Sequence, residues 1–159
     1  MINGVINLDE ASLVVWNKAL SLGMSYETFT AEFADHVIRT KAFQDDPGKA
    51  YVYVALEATL VYNIPAEIQV SFQAGTAKKI TVTFDASATK IDSLSTGIKL
   101  YQEKVQQTAR DIKAAVVKQF GNIDSKDYHF HCIKNGHELY SVIDDREWMY
   151  CSLILERKS

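Results

Sequence analysis

Two histidines one residue apart, His129 and His131, open the most reactive stretch of the chain; Cys132 follows directly, and Cys151 lies beyond an acidic run, Asp144-Asp145-Arg146-Glu147. On a β-strand, residues i and i+2 share a face, so the two imidazoles can present together to a metal ion. A catalytic zinc needs three protein ligands plus water, and a structural one needs four. Cys151 supplies the third ligand only if strand pairing carries it to that face. Histidines on a strand beside Tyr140 serve equally well as cross-strand packing residues.

The cysteines suggest nucleophilic chemistry, which requires a stabilised thiolate at a helix N-terminus or beside a cation. Both fall within alternating, strand-like runs, and Cys132 is expected in the core beside Phe130, so inert thiols are the expectation. A disulfide is disfavoured because the expected register puts the two on opposite faces and the expected compartment is reducing. The carboxylates Asp144, Asp145 and Glu147 suggest acid–base work, which needs one carboxyl with a raised pKa in a water-poor cleft. A solvated turn gives all three ordinary acidity, and turn composition alone accounts for them. No residue is therefore expected to be catalytic, and no cofactor is implied. The chain has no Gly-rich phosphate loop, G-x-S-x-G elbow, H-E-x-x-H or C-x-x-C pair.

These residues must be held by strands. Asn135-Gly136 suits a two-residue type I′ turn pairing Lys134 with His137. A four-residue turn at 144–147 would pair Ile143 with Trp148. Those registers set His131 opposite Tyr140 and Tyr140 opposite Cys151, with His129 on the same face; Cys132, Leu139 and Ser152 take the other face. Strands are expected at 128–133, 138–143 and 148–156. Upstream, alternation predicts strands at 51–62, 68–73 and 79–85, with Val52, Val54, Leu56, Ala58, Leu60 and Tyr62 sharing one face. Pro65 should break the first run.

Helical spacing is clearest over 98–120, where Ile98, Tyr101, Val105, Ile112, Val116 and Phe120 form a stripe closed by Gly121. The basic residues between them read as a solvated face. Ser25 suits an N-cap for a helix carrying Tyr26, Phe29, Phe33 and Val37 and ending before Asp45-Asp-Pro-Gly48. Residues 8–22 fit either a helix capped by Asp9 and Gly23 or a β-rich segment, Ser12-Leu-Val-Val-Trp16; the balance favours the helix. The expected architecture over 1–159 is a single α+β domain: one mostly antiparallel sheet of about six strands, with helices on one face.

Composition is that of an ordinary globular domain, 47% hydrophobic and 23% charged, so a packed core is expected without disulfides or metal. No apolar run reaches transmembrane length, and the N-terminus lacks a basic region or cleavage site, so a cytoplasmic location is expected. The net charge of −3 repels phosphate backbones and makes nucleic acid a poor partner. A basic protein surface is a better one.

The order of a helical N-terminal part, the hairpin Ile68-Gln-Val-Ser-Phe72 with Ile80-Thr-Val-Thr-Phe84, a long helix, and a terminal strand pair around Asp144-Asp-Arg146 and Ser152-Leu-Ile-Leu155 resembles small bacterial immunity proteins of polymorphic-toxin and contact-dependent inhibition systems. The resemblance implies a non-enzymatic protein that neutralises a cognate toxin by direct binding. The candidate contact residues are Asp144, Asp145 and Glu147, with Trp148 and Tyr150 as aromatic anchors. The alternative is a metal-binding module or metal-dependent enzyme built on His129, His131 and Cys151.

Overall fold

The computed structural model describes residues 4–46, 49–92, 94–121, 123–144, 146 and 149–157. It is an α+β fold with two antiparallel sheets. A small sheet is formed by β1 (Val5–Asn7), β2 (Ser12–Val15) and β3 (Lys18–Ser21), followed by α1 (Tyr26–Phe33). Next come β4 (Val37–Asp46), β5 (Lys49–Val61), β6 (Ile64–Gln73) and β7 (Thr76–Phe84), then α2 (Ile98–Phe120). A second meander, β8 (Asp124–Lys126), β9 (His129–Lys134), β10 (His137–Asp144) and β11 (Tyr150–Arg157), completes the chain. The large sheet has eight strands in the order β4-β5-β6-β7-β11-β10-β9-β8, two more than expected.

Two-residue turns set most of these registers. Trp16-Asn17, Tyr62-Asn63, Ala74-Gly75 and Asn135-Gly136 all have positive φ at both central positions, the mark of type I′, whose twist matches that of the flanking strands. Only the last carries the usual sequence signal. Residues 8–22 accordingly form the β2–β3 hairpin, with Val15 opposite Lys18, instead of the expected helix. Leu13 and Leu20 are fully buried there as cross-strand partners, so the spacing that imitated a helical face comes from a sheet. At Pro65, β5 and β6 continue pairing, because the proline sits opposite Leu60 beside the turn, where a missing N–H disturbs the ladder least.

Ser25 caps α1 as expected, its hydroxyl accepting from the Thr28 amide at 3.1 Å. The helix is shorter than predicted, however. A 3-10 turn over 34–36 leads into β4, so Val37 is a strand residue. The alternation of Arg39, Lys41 and Phe43 is visible in retrospect; the aromatic stripe ahead of it masked it.

The core lies on one face of the large sheet. Val54, Leu56, Ile68, Val70, Ile80, Val82, Leu153 and Leu155 form its floor. Val105, Ala109, Ile112 and Val116 of α2 lie in the same cluster, as do Phe29 and Phe33 of α1 and Ile6, Leu13 and Leu20 of the small sheet. The Phe29 and Phe72 ring centroids are 4.9 Å apart, which seats α1 on the sheet. A polar relay fastens the small sheet to α2: Gln119 Nε2 donates to the Ile6 carbonyl at 2.6 Å, and Tyr62 donates to Gln119 Oε1 at 2.5 Å. The helical stripe is shorter than the pattern implies, since Ile98 and Tyr101 at its start are exposed.

A bulge between Leu56 and Thr59 opposes three steps of β5 to two of β6. Beyond it the faces exchange. Thr59 and Val61 turn inward and Ala58 turns out, reversing the expected alternation for that end of the strand.

Candidate functional site

With helices and small sheet gathered on one side, the other face of the large sheet is left open. Paired residues in an antiparallel ladder share a face, so the registers give this surface row by row. One row runs Lys41, Tyr53, Ser71, Lys79, Glu156, Glu138 and Ile133. The next runs Arg39, Ala55, Gln69, Thr81, Ile154, Tyr140 and His131. A third holds Glu67, Thr83, Ser152 and Val142, and beyond it Tyr150 stands opposite Asp144. None of the apolar residues in these rows belongs to the core cluster.

The centre of this face is made of small, hydroxylic and aliphatic side chains, with Ser152 and Thr83 hydrogen-bonded at 3.0 Å. A groove of about 410 Å³ runs over Thr81, Thr83, Val142, Tyr150, Ser152 and Ile154. A wider one of about 700 Å³ extends from Tyr51 and Tyr53 past Lys79 to Glu138 and Glu156. The β4 end is basic, with Arg39 and Lys41, and the β10–β11 side is acidic, with Glu138, Asp144 and Glu156, so the face carries opposite charge on its two sides.

The expected contact residues divide. Tyr150 and Asp144 are brought together as cross-strand neighbours at one end of the open face, and Asp144 Oδ1 accepts from the Arg146 amide at 3.0 Å. Asp145, Glu147 and Trp148 lie outside the described residues. The basic cluster at β4 was not anticipated, because that segment read as helix.

The histidines and cysteines are arranged differently from expectation. Lys134 pairs with His137 and His131 with Tyr140, as predicted. Ile143, however, pairs with Cys151, and Tyr140 with Ile154. The register of β11 is thus displaced by three residues, an odd number, and every β11 side chain moves to the opposite face. Cys151 is buried in the core, while His129 and His131 lie on the open face, so the three cannot share a metal ion. Among the described residues no group of three or more His, Cys, Asp or Glu is placed to hold one.

The same displacement puts both cysteines on the core face, contrary to the expectation that alternation would separate them. Cys132 pairs with Leu139, four residues from Ile143 along β10, a separation of about 13 Å at the usual strand rise, well beyond disulfide reach. Burial pushes the Cys151 thiol up to about 12. Burial also raises Cys132, with Lys134 opposing. Neither thiol is activated for attack.

Around Tyr140 the open face is densely polar. Its hydroxyl donates to Glu156 Oε1 at 2.7 Å, and His131 Nε2 lies 3.3 Å from Glu138 Oε2. Burial, then the hydrogen bond to Glu156 and the charges of Glu156 and Glu138, hold the phenol well above its ordinary value. A phenol held so strongly protonated is a hydrogen-bond donor, not a base.

No helix among the described residues is long and apolar enough to cross a membrane. Comparison with protein-family models, curated proteins and solved structures gives no match.

Proposed function

We propose that this chain is a non-enzymatic binding protein that lays the open face of its large sheet against a protein partner, and that the partner is a cognate bacterial toxin. The observation that carries this reading is the open face itself, an uncovered surface with a groove bordered by the half-buried side chains Val142, Ile154 and Tyr150, and with half-buried Tyr140 paired with Ile154. Half-buried aromatics beside exposed polar groups are the composition of interface anchors. The acidic end, with Asp144, Glu138 and Glu156, favours a basic patch on the partner and speeds encounter with it. The toxin-neutralising form of the reading rests on the resemblance of the β6–β7 hairpin, the long α2 and the terminal strand pair to immunity proteins; the N-terminal part, expected to be helical, is instead the small sheet with α1.

The test is whether a toxin-like reading frame lies beside the gene and, where one does, co-expression with its product. The intact chain should relieve growth inhibition, and Tyr150→Ala should weaken the complex at least tenfold. Neutralising Asp144, Asp145 and Glu147 together should slow association and flatten its salt dependence. Full protection by a chain carrying both sets of changes would overturn the assignment of this face.

A further inference from the structure

The β4 end of the open face carries a second feature. Arg39 and Lys41 are two residues apart on the same face of the edge strand, both exposed. Neither has an ion pair with a carboxylate among the described residues. Lys41 instead rests over the Phe43 ring, 4.9 Å from its centroid, and Phe43 meets Tyr53 edge-on at 5.5 Å. In the neighbouring row Arg39 and Gln69 flank Ala55, whose methyl group leaves a notch between two longer polar side chains. Together these six residues line a cleft of about 590 Å³.

Charge on an edge strand also serves to repel stray strands. That role requires neither the aromatic wall nor the notch opposite Gln69. The chemistry of the cleft is more specific: a guanidinium and an amide positioned for one planar anion, an ammonium beside them, and an aromatic surface for an adjacent apolar group. Two cations on a chain of net charge −3, with Glu67, Glu138 and Glu156 on the same face, suit a short anionic segment and disfavour a long polyanion such as nucleic acid.

We propose that this cleft anchors an acidic segment of a protein partner, a carboxylate side chain flanked by an apolar or aromatic residue. The inference rests on the open face being the contact surface and deepens that reading. A partner that lies along the face then carries acidic residues over β4 and basic residues over the Asp144 end, which fixes its orientation.

The probes are a blocked acidic pentapeptide with a central phenylalanine, its lysine counterpart, and an oligothymidylate of equal length, each titrated into the isotopically labelled full chain and followed by amide NMR shifts. The acidic peptide is expected to move the resonances of residues 39–43, 53–55 and 69. Its affinity should fall at least tenfold in a chain carrying Arg39→Gln and Lys41→Gln, and it should weaken with added salt. The lysine peptide should move residues around Asp144 and Tyr150 equally in both chains, which reports on the open face independently of the cleft and shows that the variant remains folded. Acidic-peptide shifts that are absent at millimolar concentration, or located elsewhere, would overturn the cleft while leaving the open-face reading to its own test. Tighter binding of the oligothymidylate at the same residues would overturn the choice of a protein ligand.

Discussion

Glu138 and Glu156 stand directly opposite each other on β10 and β11, two carboxylates paired across the acidic side of the open face. Like charges in this position are unfavourable by several tenths of a kcal/mol. Tyr140 donates to Glu156, His131 Nε2 lies 3.3 Å from Glu138, and Lys79 is the next residue in the row. A folding core has no need of such an arrangement. It is consistent with a surface whose charge serves something outside the chain.

The pair yields a prediction in which stability and binding move in opposite directions. Glu156→Gln keeps an acceptor for the Tyr140 hydroxyl while removing the repulsion. It should raise unfolding stability by about 0.5 kcal/mol at low salt, with the gain shrinking as salt screens the pair. The same change should weaken binding of a lysine-rich peptide. Urea titrations at two ionic strengths decide the first part, and a loss of stability at low salt would show that the carboxylates are not in conflict.

Alkaline pH should destabilise the fold more than its surface charge suggests. Burial raises Tyr62 to about 12, with its hydrogen bond to Ile6 opposing, and raises Cys151 to about 12 through burial alone. Tyr140 shifts in the same direction. All three are neutral when protonated, and all are harder to ionise folded than unfolded. Their contribution is therefore complete below the unfolded values, near 9 for the thiol and 10 for the phenols, and is lost progressively as pH climbs toward the folded values. Urea midpoints measured from pH 7 to 11.5 should hold level to about pH 9 and then fall. Cys151→Ala should make the first part of that fall shallower.

The elements that were legible in the sequence share a physical feature: each shows one unbroken period ended by a recognisable breaker. Helix α2 runs from Ile98 to Phe120 without interruption and is closed by Gly121, and Ile68–Phe72 and Ile80–Phe84 alternate cleanly about Ala74-Gly75. The losses came where the determining contact is tertiary. Trp16-Asn17 and Tyr62-Asn63 adopt type I′ turns without the usual glycine, so neither announces a hairpin. The β10–β11 register depends on how many residues the connection absorbs between Asp144 and Tyr150, and an error there inverts a whole strand. The register expected from a four-residue turn puts Cys151 on the face of the histidines, and the observed register buries it in the core. The open face was not legible because a face is defined by what fails to cover it, and no local pattern records that.

The bulge in β5 offers the most direct check on the strand's two faces, since alternation and structure make opposite statements about adjacent residues. Strict alternation puts Ala58 on the apolar face and Thr59 on the polar one. In the structure Thr59 is 8% exposed and Ala58 lies on the outside, because the extra residue between Leu56 and Thr59 inverts the strand. A lysine at 58 should therefore change stability by less than about 0.5 kcal/mol, as for most exposed substitutions. A lysine at 59 forces an ammonium toward the core beside Val61 and should cost about 2 kcal/mol or more. Paired thermal or urea unfolding of Ala58→Lys and Thr59→Lys separates the two arrangements. If the order of the losses were reversed, the strand would run without its bulge, and the residues assigned to each face between Glu57 and Val61 would exchange places.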